Sequence, residues 1–203
     1  MPRIDDYFNA AKIAIETLAL ESPKEIQKRS GFEPDADGIC VPFLNRTYRI
    51  AFPGFTFSDT ASEPRDIPIQ EQVLILHYLL AGGIQFPTGN WIAYREIQGA
   101  SFYFSAFVKR AIDPLKKTFG SNIQGLVNAA ERLGGQTISA GDAGFEFRVL
   151  PRIPIQLILW EGDAEFPPEA NILFEETIGD ILSPEDVAWL AGMLVYRLMA
   201  LSR

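Results

Sequence analysis

The sequence predicts an α+β fold, and three observations carry that expectation. Two β-rich runs flank a short Asn-containing turn at residues 38–52, the pattern of a hairpin. A long helix with a strong start signal closes the chain after Ser183-Pro184-Glu185-Asp186. No regular alternation of strand and helix runs between them, so a parallel βαβ sheet is not expected. The 203 residues, 47% of them hydrophobic and 12% aromatic, supply the core of one domain, expected to span 1–203.

From Asp5 to Leu20, Phe8, Ala11, Ile15 and Leu18 recur at helical spacing and are expected to face inward. Ser22-Pro23 opens a short polar helix that Gly31 stops. Gly38 to Leu44 and Thr47 to Phe52 form the hairpin, with Pro42 placing its first strand at an edge or bulge. Residues 53–66 are the most loop-like segment, read as a connection within the domain. Ile69, Val73, Leu76 and Leu80 mark a helix closed by Gly82-Gly83. Residues 102–112 continue the helical pattern through Phe104, Val108 and Ala111, and Asp113-Pro114 caps a new turn or kinks it. Asn122 to Leu133 is a further short helix.

The later sequence changes character. Residues 145–149 alternate like a strand with one wet face, and Ile155 to Trp160 reads as a strand buried on both faces. Asn171 to Phe174 is a third strand. In the last helix, Val187 to Tyr196 carries no charge on any face, which suits a central core helix or half of a homo-oligomer interface through 184–202.

Charge and rare residues exclude several function classes. The formal net charge is −8, which opposes phosphate backbones, so no nucleic-acid partner is expected. One cysteine, Cys40, and one histidine, His77, exclude an iron–sulfur cluster or a Cys/His metal site within this chain alone, and no cofactor is expected. The single cysteine suits a reducing compartment, and the N-terminal residues show no secretory signal. The longest uncharged stretch, Gln72 to Tyr94, is broken by Gly and Pro, so neither a membrane span nor membrane association is expected. The expectation is an acidic, soluble, cytoplasmic protein.

No complete catalytic set is visible: there is no phosphate-cradling glycine loop, no Gly-x-Ser-x-Gly elbow and no His-Glu-x-x-His. His77 reads as a flank of a core helix and Cys40 as a small apolar residue of a strand. Glu33 to Gly38 imitates half of a calcium loop, but Leu44 stands where a bidentate Glu is needed, so it reads as a turn before the hairpin. Lys109-Arg110 and Lys116-Lys117 are the only dense basic features and read as a solvated face rather than an anion site.

The acidic charge is concentrated. Ile153 to Tyr196 contains nine Asp and Glu and no Lys, Arg or His. The 161–186 segment suits a docking surface for a basic protein partner. Gly141-Asp142-Ala143-Gly144-Phe145 is echoed by Gly162-Asp163-Ala164-Glu165-Phe166, the one place where two loops could pair carboxylates. A divalent cation at Asp142, Asp163 and Glu165 is the weaker alternative. Aromatic and charged groups also recur together at Trp91, Tyr94, Arg95 and Glu96, and at Trp160, Asp163, Glu165 and Phe166. Trp beside Arg offers a flat wall and an anion grip, although Arg95 paired to an acid with both tryptophans in the core accounts for the same residues.

Gly89-Asn90-Trp91-Ile92-Ala93-Tyr94-Arg95-Glu96-Ile97, Ala130 to Gly135, Leu150-Pro151-Arg152-Ile153-Pro154, Trp160 to Pro167 and Ala170 to Phe174 occur in an order that resembles a family of uncharacterised prokaryotic proteins. That family is common in anaerobes and catalogued as a domain of unknown function, and some of its relatives are associated with iron–sulfur domains. The resemblance implies no reaction, and with Cys40 alone any cluster would have to come from a partner. Three functions follow from these residues: a non-catalytic binding or accessory protein for a partner protein or small ligand in anaerobic metabolism, a carboxylate-based enzyme, or a structural homo-oligomer.

Overall fold

The computed structural model describes residues 4–82 and 86–202. Met1-Pro2-Arg3, the first half of the Met1 to Asp6 segment expected to hold no secretory signal, and Gly83 of the expected helix stop lie outside the described residues. The architecture is α+β with antiparallel sheets and a C-terminal helix, as the sequence predicts. The chain divides into two compact units, Met1–Gln85 and Phe86–Arg203.

The first unit carries α1 (Ile4–Leu18), α2 (Pro23–Ser30) and α3 (Ile69–Leu80) with a four-stranded sheet in sequential order. Its strands are β1 (Glu33–Asp35), β2 (Gly38–Phe43), β3 (Arg46–Ala51) and β4 (Thr56–Asp59). Ser22 caps α2 by accepting from the Glu25 N–H, and Gly31 ends it at φ 73°. In α1 the buried positions are Ala11, Ala14 and Leu18, while Phe8, expected inside, is 57% exposed. The helix turns its small residues toward α3, and Phe8 falls outside that narrow stripe. Segment 53–66 is not all loop: its polar Thr56–Asp59 run is the edge strand β4 on β3. β1 stops opposite Cys40, so β2 is unpaired on one flank at Pro42, where the missing N–H costs no ladder bond.

Buried polar groups tie this unit together. Tyr48 donates its hydroxyl to the buried Glu71 carboxylate, linking β3 to α3. Tyr78 Oη donates to the Ser30 carbonyl at 2.7 Å, and Arg29 donates to the Leu79 carbonyl. Asp35 and Asp37, the calcium-like carboxylates, both accept from Arg49 on β3; the turn at 36–37, expected only to precede the hairpin, instead joins an additional strand, β1, to β2.

The second unit is a five-stranded antiparallel sheet in the order β5-β9-β8-β7-β6, with helices packed on it. The strands are β5 (Trp91–Ala93), β6 (Gln136–Thr137), β7 (Ala143–Leu150), β8 (Ile153–Trp160) and β9 (Glu169–Glu175). β8 is buried on both faces apart from Gln156 and Trp160, and Gln156 donates to Glu146 across the pair with β7. α4 (Phe104–Phe107), a π-helical stretch at Val108–Ile112 and α5 (Asp113–Phe119) form one helical run. Pro114 would clash with the Arg110 carbonyl in a regular α-turn; the wider turn just before it removes that conflict. α6 (Ile123–Arg132) touches β7, and a single turn, α7 (Ile178–Ile181), precedes α8 (Pro184–Leu201). α8 packs on α4, α5, α6 and the π-helical stretch, and buries Val187, Leu190, Leu194, Val195 and Leu198. The uncharged run Val187 to Tyr196 within α8 is that of a core helix. Among the described residues no helix is long and apolar enough to cross a membrane.

Candidate functional site

The loop Glu161–Pro168 joins β8 to β9 and carries Asp163, Glu165 and Phe166, with Trp160 at the end of β8 and Asp142 before β7 beside it. Antiparallel registry places Ala143 opposite Leu159 and Trp160 opposite Glu169, so the β7 start, the β8 end and the β9 start share one end of the sheet. Asp142 Oδ2 accepts the Glu161 N–H at 2.8 Å, and the Asp142 N–H donates to the Leu159 carbonyl. Asp163 Oδ1 accepts from the N–H groups of Glu165 and Phe166, both at 2.7 Å, while the Asp163 N–H donates to the Phe166 carbonyl. The Phe166 and Glu165 amides hold the Asp163 carboxyl below its ordinary value. The Gly162 N–H donates to the Gly120 carbonyl, and a Cβ at Gly162 would stand 2.6 Å from Pro168 Cδ. The two Gly-Asp echoes therefore meet in space, and each aspartate serves as a backbone cap within the turn system.

The end of β8 and this pinned loop present aromatic rings to solvent. Trp160 is 41% and Phe166 67% exposed, and the exposed side chains of Glu161, Asp163, Glu165 and Glu169 surround them in the chain. Trp160 is thus not a core residue.

The other motif group is organised differently. Tyr94 is buried, stacks on Phe107 at 4.2 Å with nearly parallel rings, and donates to the Pro184 carbonyl at 2.7 Å. Its burial, opposed by the nearby Arg110, pushes its pKa up to about 12. Glu96 accepts the Ala93 N–H and so caps the short turn Tyr94–Glu96. Arg95 is exposed and lays its guanidinium 3.7 Å from the centre of the Phe104 ring, without an ion pair to any of the acids. Trp91 is half-buried on β5, opposite Glu175.

The two groups do not form one site. Trp91 and Trp160 sit opposite the two ends of β9, Glu175 and Glu169, about 20 Å apart at the usual strand rise. Among the described residues, no group of three or more His, Cys, Asp and Glu could hold a metal ion, and that includes Asp142, Asp163 and Glu165. Cys40 is half-buried opposite Arg49 in the first unit.

Two features escaped sequence reasoning. Glu175 is buried, and its carboxylate accepts from Thr88, Gly89 and Thr177. Burial works against its charge, yet the hydroxyl and amide donors of Thr177 and Thr88 hold its pKa below the ordinary carboxylate value. The basic cluster also separates. Arg110 stacks 4.2 Å above the Trp189 ring, Lys116 pairs with Glu169, and Lys109 and Lys117 line a cleft beside α8.

A family model described as Domain of unknown function (DUF3786) matches residues 22–197. The chain belongs to this family. The DUF3786 match crosses both compact units and includes Trp91, Arg95, Asp142 and the whole 160–169 loop. Comparison with curated proteins and with solved structures found no match.

Proposed function

We propose that this chain is a non-catalytic docking protein whose β8–β9 loop receives a basic protein partner. The observation that supports it is the pair of exposed rings, Trp160 at the end of β8 and Phe166 on the loop after it, set among exposed carboxylates where Asp142 and Asp163 pin the turn. Aromatic side chains supply most of the energy of small interfaces, and a rim of like charge steers an oppositely charged partner and suppresses wrong ones. Because the turn is already fixed by its own hydrogen bonds, little ordering entropy is lost on binding.

The other readings have less support. Asp142 and Asp163 are committed to backbone N–H groups, which argues against a carboxylate-based enzyme at this place. The apolar residues of α8 are consumed within the second unit, which argues against a homo-oligomer built on it. The family match across both units supports treating them as one inherited domain. Any iron–sulfur association of prokaryotic relatives would put the cluster on the partner, and the lone cysteine suits a cytoplasmic location.

A photo-crosslinking residue at Phe166 identifies the neighbour, which is then purified and titrated with the wild-type chain and with Trp160→Ala. The proposal expects a basic partner, an affinity loss of about tenfold or more on truncation, and weakening with salt. A partner that binds Trp160→Ala as tightly as wild type overturns it.

A further inference from the structure

The basic residues that look like one solvated face in the sequence part company in the structure. Lys116 turns toward the sheet and meets Glu169 at 3.5 Å, and Arg110 lies over Trp189. Lys109 and Lys117 instead line a cleft of about 420 Å³ between the helical run 104–119 and the C-terminal half of α8. Among the described residues neither makes an ion pair, nor does Asp113 between them. The far wall is the 56% exposed ring of Tyr196 with Met199, and Thr118 adds a hydroxyl at the rim.

We propose that this cleft binds a nucleoside phosphate. Two unpaired ammonium groups at one opening call for an anion of more than one charge, and lysine binds phosphate as a point charge without the planar fork that carboxylates favour. The Tyr196 ring and Met199 offer a flat apolar surface for a base. Asp113 repels a second anionic group and accepts hydroxyl donors, which a ribose provides and a plain aromatic acid does not. The volume falls within the range of small-molecule pockets, about 300–1,000 Å³. This is a different set of residues from the aromatic loop, so either assignment can fail without the other.

The test is calorimetric titration of the full chain with ADP, GDP, CDP and UDP at low salt, beside Lys109→Ala/Lys117→Ala, Tyr196→Ala and Lys116→Ala. All four positions are at or near the surface, and unchanged melting temperatures confirm folding. At least one nucleotide should bind saturably, roughly tenfold more weakly to the double lysine variant, several-fold more weakly to Tyr196→Ala, and equally to Lys116→Ala. No saturable binding of any of the four, or equal binding by the double variant, overturns the proposal. Inorganic pyrophosphate binding as tightly as the nucleotides overturns the base contact.

Discussion

The Thr88 hydroxyl donates to Glu175 Oε1 at 2.7 Å, joining residues 87 apart in sequence. Thr177 donates to the other oxygen of the same carboxylate through both its N–H and its hydroxyl. A buried carboxylate with donors on both oxygens costs little to bury, whereas removing its charge leaves those donors poorly matched. Glu175 thereby fixes the segment that leads into β5 and the turn that follows β9.

Glu175→Gln should cost about 1–3 kcal/mol at pH 7. Because the folded carboxyl titrates below its ordinary value of 4.5, its contribution is complete above that pH and is lost as pH falls through the folded pKa. Urea unfolding from pH 7 to pH 3 should show an acid-side loss in the wild-type chain that is reduced in the variant. Identical midpoints at pH 7 would show that the carboxylate does not hold this corner.

Tyr94→Phe removes the donor to the Pro184 carbonyl and should cost about 1 kcal/mol while leaving the ring stack on Phe107 intact. A folded pKa of about 12 exceeds the unfolded value of 10, so this stabilisation is full below pH 10 and disappears as pH rises through 12. Alkaline ultraviolet titration of the folded protein should lose one phenol that titrates near 12 in the variant.

Leu194→Ala tests the role of α8. Leu194 is fully buried among the helices of its own unit, so truncation should cost about 2–5 kcal/mol by leaving a cavity. Melting temperature should fall with no change in solution mass. A changed mass with an unchanged melting temperature would point instead to a surface between copies.

Much of this fold is legible because the signals are local. Ser22 and Ser183 cap helices through contacts three residues away, and the sequence shows both caps. The hairpin of β2 and β3 and the strands β7 to β9 follow from their apolar runs. β4 is missed because Thr56–Asp59 is a short polar edge strand whose partner supplies its only order. Phe8 is misplaced because the phase of α1 is chosen by the small residues Ala11 and Ala14, which pack closer than a ring. Asp142 and Asp163 are legible as turn residues, and their loops do meet. The distance from Trp91 to Trp160 is set by strand registry, and motif spacing carries no trace of it. Glu175 is equally illegible as a latch, because Thr88 and Gly89 lie 87 and 86 residues away in sequence.

Asp163→Ala removes the acceptor for the Glu165 and Phe166 amides and should loosen the loop without unfolding the domain. Hydrogen exchange at those two amides should become several-fold faster while the β8 and β9 amides keep their protection. Unchanged exchange would mean that the aspartate does not order the loop.

The docking assignment is tested most directly by the affinity of the crosslinked, purified partner for Trp160→Ala/Phe166→Ala against the wild-type chain. The account predicts a loss of about a hundredfold or more with the fold intact, and a wild-type affinity that weakens steeply as salt is raised. Equal affinities for the two proteins would contradict it.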